Sequence, residues 1–465
     1  MSSSYPKFAV VGHPNKGKSS IVASLALDDS IQIGNTPGTT QVKRAFPLKV
    51  DGKIVYELFD TPGFQRARRV YAWLEEHGDV PASKRVDVVK EFVHRHRDNE
   101  RFRDEVELLE PIINGAGVIY VVDASKPYGA EYEIEMEILR WCGQPSMAIL
   151  NLIGDDDYRE EWSRALGQYF RLVRTYNPMT AGYKEHIELL ESMAQLNEDW
   201  TKPIKQAIDA LNRHYELKIE QTISTISDYM IKVLSFVHKQ KIRGEEATPT
   251  EKKRAKEAYK KKILSYEHKE QESVEKIWQH NGVEKSKEEL NLERCGLFSE
   301  ESASIFGLSQ KELIITGASA GAITGGGLDL LVAGSSFFLG TLIGGVVGGV
   351  GAMYGFNNLY ELRVLGQSIG KRELSVGPMQ NLNFPYIVLG RALYHASLVA
   401  KRSHATRGVI ELKNISFTEE IISSESRKIL EKVHIKLRKG KEITKEEQEE
   451  YTSTLHKSFL ELLKS

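Results

Sequence analysis

Cysteine is almost absent from this chain, and its absence excludes whole classes of structure. The 465 residues include only Cys142 and Cys295, which are too few and too far apart for a disulfide framework or a cysteine metal site. Neither sign of charge prevails, because the net charge is -1. Without a global basic field, only a local patch could attract nucleic acid or acidic lipid electrostatically. We therefore expect reduced thiols and a cytoplasmic protein.

Apolar runs are also missing before the first predicted strand, Phe8–Val11, so we expect no secretory signal. The apolar content of 41% and the charged content of 27% are typical of a globular protein with a sizeable core. A chain of this length predicts two or three domains.

The first strand runs into a glycine-containing loop and then a helix, with the spacing G-x4-G-K-S. Glycine at both fixed positions lets the backbone curl and aim its N–H groups at phosphate oxygens. Lys18 is expected to meet the β and γ phosphates, and the Ser19 hydroxyl to bind Mg²⁺. The predicted phosphate-binding residues are Gly12, His13, Pro14, Asn15, Lys16, Gly17, Lys18, Ser19 and Ser20.

Two further pieces follow in the order that a GTPase requires. A polar loop contains Thr39 and Thr40, either of which suits a first switch that reaches Mg²⁺ and the γ phosphate. A predicted hairpin then ends at Asp60-Thr61-Pro62-Gly63, where Asp60 suits Mg²⁺ and Gly63 suits a γ-phosphate contact. We assign binding of nucleotide or metal to Thr39, Thr40, Asp60 and Gly63, and catalysis to Lys18, Thr40 and Gly63.

The guanine-reading motif N-K-x-D is expected after the strand Ser146–Leu150. Asn151 matches, but Leu152 replaces the lysine and Gly154 replaces the aspartate that excludes ATP. Asp155 lies one place later and substitutes only if the loop shifts. We expect Asn151 and Asp155 to contact the base, with specificity left open between guanine and a relaxed choice.

The phosphate loop, the loop with Thr39 and Thr40, and Asp60-Thr61-Pro62-Gly63 together resemble the Era and TrmE branch of translation-factor-class GTPases. The motifs themselves assign Ser19, Thr40 and Asp60 to Mg²⁺. The resemblance adds that Asn15 helps to hold K⁺. It also implies that Phe64 replaces a water-orienting glutamine. Intrinsic GTP hydrolysis is then slow and depends on another residue, a monovalent cation or a homodimer formed through the G domains.

The second half is predicted to be helical, and residues 313–356 are its least ordinary part. Glycine recurs every fourth residue in two charge-poor runs, a spacing that lets helices pack closely, so we predict a glycine-zipper hairpin. The hairpin is either buried in a helical domain or in peripheral contact with a membrane, and many glycines disfavour a permanent double span. Asn151-Leu152-Ile153-Gly154, the glycine-rich segment and Arg391-Ala392-Leu393-Tyr394-His395 resemble a group of bacterial GTPases. The resemblance covers about residues 5–410, and the helical domain of that group has no settled function.

The predicted fold is an α/β P-loop NTPase G domain, with a mostly parallel sheet flanked by helices, followed by an all-α domain. The predicted divisions are a G domain over 1–196 with a helical insertion at about 65–110, a charged helical region over 197–295, a helical domain over 296–410 and a charged helical tail over 411–465.

The expected function is a Mg²⁺-dependent GTP hydrolase, a molecular switch that acts on the attached helical domain and binds GTP or GDP. Three alternatives remain. They are an RNA-linked GTPase of ribosome assembly or tRNA modification, a membrane-associated dynamin-like GTPase, and a P-loop NTPase of relaxed base specificity. The first lacks support from charge, because the net charge is -1. The sequence also shows no KH-like G-x-x-G loop in a basic context and no TrmE-like C-terminal cysteine motif.

Overall fold

A computed structural model describes most of the chain. The described residues are 5–14, 16–26, 44–50, 53–244, 246–278, 292, 296–299, 302, 305–306, 362–365, 373–401 and 422–464. They fall into two compact units that divide between Tyr215 and Glu216. The predicted boundary at 196 stays a prediction, as do the other divisions. The glycine-zipper hairpin predicted at 313–356 lies outside the described residues.

The first unit is built on a six-stranded sheet in the order β2-β3-β1-β4-β5-β6. Only the β2–β3 pair is antiparallel, and the other pairs are parallel. The strands are β1 (Lys7–Val11), β2 (Arg44–Val50), β3 (Lys53–Asp60), β4 (Gly117–Asp123), β5 (Ser146–Asn151) and β6 (Leu172–Thr175). This mostly parallel sheet confirms the predicted G-domain fold.

Helices cover both faces of this sheet. They are α1 (Lys18–Ala26), α2 (Ala67–His77), α3 (Arg85–Arg95), α4 (Arg103–Ile113), α5 (Glu131–Trp141), α6 (Arg159–Leu166) and α7 (Tyr183–Ala194). Alternate residues of β1 face opposite cores, with Ala9 and Val11 in the cluster of α2–α6, and Phe8 and Val10 in the cluster of α1 and α7. Burial on both faces explains why the central strands are continuous apolar runs.

The long helix α8 (Glu198–Ser235) begins in the first unit, where Ile204, Ile208 and Leu211 extend the α1 and α7 cluster. The remaining described helices are α9 (Pro249–Ile277), α10 (Phe384–Lys401), α11 (Ser424–Arg438) and α12 (Lys445–Lys464). A capping box between Thr248 and Glu251 starts α9, since each side chain bonds the other's backbone N–H. These helices confirm a helical second half.

The prediction of an all-α second half needs one correction. A three-stranded antiparallel sheet joins β7 (His238–Lys241), β8 (Leu362–Leu365) and β9 (Glu373–Met379) in the order β7-β9-β8. The sequence hid it because β7, His-Lys-Gln-Lys, has no apolar alternation, and β9 contains a Gly-Pro pair that argues against a strand. Leu374 and Val376 are nevertheless buried and hold β9 in place.

Candidate nucleotide site

The carboxyl ends of the parallel strands bring the predicted site residues to one edge of the sheet. The loop after β1 lies beside the end of β3 because Val10 pairs with Asp60, and Asp123 pairs with Asn151 where β4 and β5 end. The strand order reverses direction at β1, and in open α/β sheets ligands bind in the crevice outside the carboxyl ends of the strands at such a switch point. Eight predicted loop residues, the carboxylate of Asp60 and the amide of Asn151 therefore share one region.

The two glycines of the phosphate loop cannot be replaced without strain. Gly12 has a φ of 142° and Gly17 a φ of 86°, in a region that L-residues with a Cβ rarely adopt. A Cβ on Gly12 would collide with the carbonyl oxygen of Val121, and one on Gly17 with the Asn151 amide. The loop backbone thus packs against β4 and β5 as closely as it can.

Lys18, the lysine of the G-x4-G-K-S motif, is already held inside the curl of the loop. Its ammonium donates to the carbonyl oxygens of Gly12 at 3.2 Å and of His13 at 3.1 Å. Only 8% of the residue is exposed. Burial lowers the pKa of this ammonium, and the carboxylates of Asp60 and Glu135 oppose that shift. The positive charge of Lys18 therefore lies inside the loop, where a phosphate bound by the loop N–H groups would contact it.

Two oxygen donors meet at the mouth of the loop. The Ser19 hydroxyl donates to Oδ2 of Asp60 at 2.8 Å, and this pair is exposed to solvent. The neighbouring Thr61 hydroxyl donates to the carbonyl oxygen of Val10 at 2.8 Å and so fixes the end of β3 against β1. A hydroxyl and a carboxylate are the hard oxygen ligands that Mg²⁺ prefers, and their adjacency fits that ion.

Gly63 lies directly against the loop. A Cβ there would come within 2.6 Å of the Pro14 backbone nitrogen and 2.8 Å of the Gly12 oxygen, so only glycine allows this approach. The next residue, Phe64, is 2% exposed and belongs to the core cluster of α2–α6. Its ring therefore points into the core and carries no group that orients water.

Glu105 on α4 holds the segment that follows Gly63, a role that sequence analysis missed. Its Oε1 accepts from the backbone N–H of Gln65 at 3.1 Å and from that of Arg66 at 2.6 Å. Its other oxygen is buried without a hydrogen-bond partner among the described residues. The only signal in the sequence was a carboxylate within a helical segment, since the contact spans 40 residues.

Loops after β5 and β6 form the other end of the crevice. The Asn151 amide donates to the carbonyl oxygen of Lys16 at 3.1 Å, which ties the base-side loop to the phosphate loop. Asn177, in the loop after β6, donates to the carbonyl oxygen of Leu152 at 3.0 Å. Asp155 is exposed to solvent. Asn151 is therefore a structural joint as well as a candidate base contact.

Lys16, in the phosphate loop, forms an ion pair with a carboxylate at the end of β4. Its ammonium lies 3.8 Å from Oδ2 of Asp123 at the end of β4, and the lysine is 6% exposed. The other oxygen of this carboxylate accepts from the backbone N–H of Ser125 at 3.1 Å. Asp123 therefore links the end of β4 to the phosphate loop, a role that no sequence motif predicted.

Three predicted site residues, Asn15, Thr39 and Thr40, lie outside the described residues. Within the described part of the chain, no cluster of three or more histidine, cysteine, aspartate or glutamate side chains has the arrangement of a metal site. A Mg²⁺ ligand set of one hydroxyl and one carboxylate is not such a cluster. None of the described helices is both long enough and apolar enough to span a bilayer.

Family comparisons agree with this geometry. A family model described as 50S ribosome-binding GTPase matches residues 7–151. Curated relatives named GTPase Der are 35% identical over 81 residues in Pelotomaculum thermopropionicum and 30% identical over 121 residues in Aromatoleum aromaticum. Those matches cover 17% and 26% of this chain, and 18% and 27% of the relatives, so the chain spans less than a third of their length.

Solved structures give weaker matches. The G domain of the T. maritima FeoB iron transporter is 21% identical, with 41% of this chain and 98% of that chain covered and a TM-score of 0.23. A mutation variant of SsGBP is 20% identical, with 45% of this chain and 57% of that chain covered and a TM-score of 0.24. At such TM-scores these likenesses settle nothing about the fold.

The C-terminal part matches a second family model, described as a domain of unknown function (DUF3482), over residues 163–461. That match covers more than half of the chain. The first unit, with its loop and sheet order, is a P-loop GTPase G domain. The protein therefore belongs to the DUF3482 family, with a GTPase domain at its N-terminal end.

Proposed function

We propose that the protein binds GTP and GDP at the sheet edge, hydrolyses GTP with Mg²⁺, and uses the nucleotide state as a switch on its helical second half. One observation carries the proposal: Lys18, Ser19, Asp60 and Gly63 meet around a single loop. The relatives named GTPase Der and the matched GTPase family support hydrolysis.

The loop is suited to hold the triphosphate before reaction. Gly12 and Gly17 shape a backbone whose N–H groups can face phosphate oxygens, and α1 adds the partial positive charge of its first turn. Lys18 is already placed by two carbonyl oxygens, so it needs little reorganisation to neutralise charge on the β and γ phosphates. Gly63 places a backbone N–H beside the loop to sense the γ phosphate.

Ser19 and Asp60 would hold Mg²⁺ directly or through water. When bound, the ion would supply positive charge that neutralises the charge developing on the transferred phosphoryl group. Thr39 or Thr40 completes this arrangement in our proposal, and Asn15 contributes to a K⁺ site as in the Era and TrmE branch. Phe64 is buried in the core. We therefore propose that intrinsic hydrolysis is slow and that a monovalent cation, another residue or a G-domain homodimer accelerates it.

Asn151 is proposed to contact the base while it holds the Lys16 backbone, and Asp155 to accept hydrogen bonds from the guanine edge. Asp155 is exposed and so can reach a ligand. Leu152 and Gly154 replace the lysine and the aspartate of the N-K-x-D motif. The alternative to guanine recognition is therefore a site of relaxed base specificity.

Competition against a fluorescent guanine nucleotide tests the proposal. Unlabelled GTP, GDP and ATP are titrated against the full chain with Mg²⁺ and either K⁺ or Na⁺. We expect GTP and GDP to compete at least about tenfold better than ATP, as a base site that hydrogen-bonds its ligand should. Equal competition by ATP would replace the guanine assignment with a P-loop NTPase of relaxed specificity. No binding of any nucleotide would reduce the domain to a scaffold.

A further inference from the structure

A buried carboxylate lies behind the phosphate loop, outside the motifs described above. Glu135, on α5, is 3% exposed. One of its oxygens, Oε1, lies 3.0 Å from Nδ1 of His13, the second residue of the loop. The other, Oε2, accepts from the hydroxyl of Tyr120 on β4 at 2.9 Å. A helix, a strand and the loop therefore meet at one side chain.

Such a carboxylate is costly unless both of its oxygens have partners. Burial raises the pKa of Glu135, while the hydrogen bonds from His13 and Tyr120 and the charge of Lys18 pull it back down. A carboxylate only accepts hydrogen bonds, so with Glu135 ionised the His13 ring carries its proton on Nδ1. The ring of Tyr132, one turn earlier on α5, packs edge-on against this imidazole at 5.7 Å between centroids.

His13 connects this carboxylate to the phosphate-binding lysine. Its carbonyl oxygen is one of the two that accept from the Lys18 ammonium. The side chain of His13 and its carbonyl belong to one residue, so fixing the ring restrains the peptide that places Lys18. Glu135 also stabilises the charged form of Lys18 electrostatically.

We propose that Glu135 is a positioning residue for the bound nucleotide, which acts through the His13 ring to hold the phosphate loop and Lys18 in their binding geometry. This inference rests on the proposed function, and it adds a role that none of the loop motifs contains. It predicts that the hydrogen-bond donor at Nδ1 accounts for most of the effect of the His13 side chain on nucleotide affinity.

The test measures the Kd of GTP and GDP for full-length variants, together with their thermal unfolding. His13→Ala removes the donor, whereas His13→Asn keeps an amide N–H near the position of Nδ1. Glu135→Gln leaves one acceptor oxygen where two donors converge. The matched control is Glu133→Gln, on the same helix, because Glu133 also accepts from a tyrosine hydroxyl but is exposed and bonds Tyr128 instead.

We expect His13→Ala and Glu135→Gln each to weaken nucleotide binding about tenfold, as loss of a hydrogen bond to a charged group does. The double variant should bind about as well as Glu135→Gln alone, because the His13 substitution then breaks a contact that is already lost. His13→Asn should recover most of the affinity that His13→Ala loses, and Glu133→Gln should bind like the natural chain.

Additive losses, or a His13→Asn variant as weak as His13→Ala, would overturn the inference. Folded His13→Ala and Glu135→Gln variants that bind as tightly as the natural chain would also overturn it. In all three cases the proposed function would stand. If the natural chain bound neither GTP nor GDP, the proposed function itself would fail and the inference with it.

Discussion

The two ends of the nucleotide crevice are built in different ways. At the phosphate end, Lys16 and Lys18 are buried, and glycines fill positions that no other residue fits. At the base end Asn151 is buried, while Asp155 is exposed and 54% of Ile153 is accessible to solvent. The N-K-x-D motif at the second end is incomplete, whereas the G-x4-G-K-S motif at the first end is intact. Geometry imposed by a packed backbone tolerates little change, whereas recognition by exposed side chains can be rebuilt with other residues.

The largest effect should come from the phosphate end. Lys18→Ala removes a charge that we propose contacts the triphosphate. We expect nucleotide affinity to fall about 100-fold or more, since charge-assisted contacts are the strong ones. Displacement of a fluorescent nucleotide measures this loss. Lys90→Ala, an exposed lysine paired with Asp87 on α3, is the matched control and should bind normally. A similar affinity for both variants would contradict the assignment.

Asp60→Asn should break the dependence on Mg²⁺. The substitution keeps the shape of the side chain and its bond to Ser19 but removes the negative charge that suits the cation. We expect GTP binding in Mg²⁺ to weaken by about tenfold to 100-fold, with a smaller change when EDTA is present. Titration of each variant with and without Mg²⁺ checks this, and equal losses under both conditions would argue against a cation at Asp60.

Asn151→Ala acts on the joint between the two ends. It leaves the buried carbonyl oxygen of Lys16 without its described donor, so we expect about 1–3 kcal/mol of lost stability and roughly tenfold weaker binding of all nucleotides. Chemical denaturation and nucleotide titration measure the two effects. A loss confined to guanine nucleotides, with stability unchanged, would show that Asn151 reads the base without supporting the loop.

Asp155→Asn should give the smallest effect and the most specific one. We expect the preference for GTP over ATP to fall by about tenfold or less, with little change in stability, because an exposed side chain contributes only through the ligand. Asp156→Asn, at the next exposed position, is the control. An unchanged preference in Asp155→Asn would assign the reading of the base to other residues.

The features that could be predicted from sequence are those that local patterns determine, whereas contacts between distant residues could not be predicted. The loop, α1 and the hairpin of β2 and β3 depend on local patterns, and the sequence predicts them well. Glu105 and Glu135 could not be predicted, because they reach their partners across 40 and 122 residues. The sheet of β7, β8 and β9 was missed because its strands are short and its first strand is polar.

The buried carboxylate of Glu105 has a consequence for how the segment after Gly63 can move. One oxygen accepts from two consecutive backbone amides, so displacing Gln65 and Arg66 would leave both oxygens of a buried carboxyl group without a partner among the described residues. A small displacement of this segment already loses the two hydrogen bonds while the carboxyl group of Glu105 stays buried, so it is unfavourable. The segment after Gly63 is therefore held most firmly at Gln65 and Arg66, where any movement away from α4 costs two hydrogen bonds to one buried carboxyl oxygen.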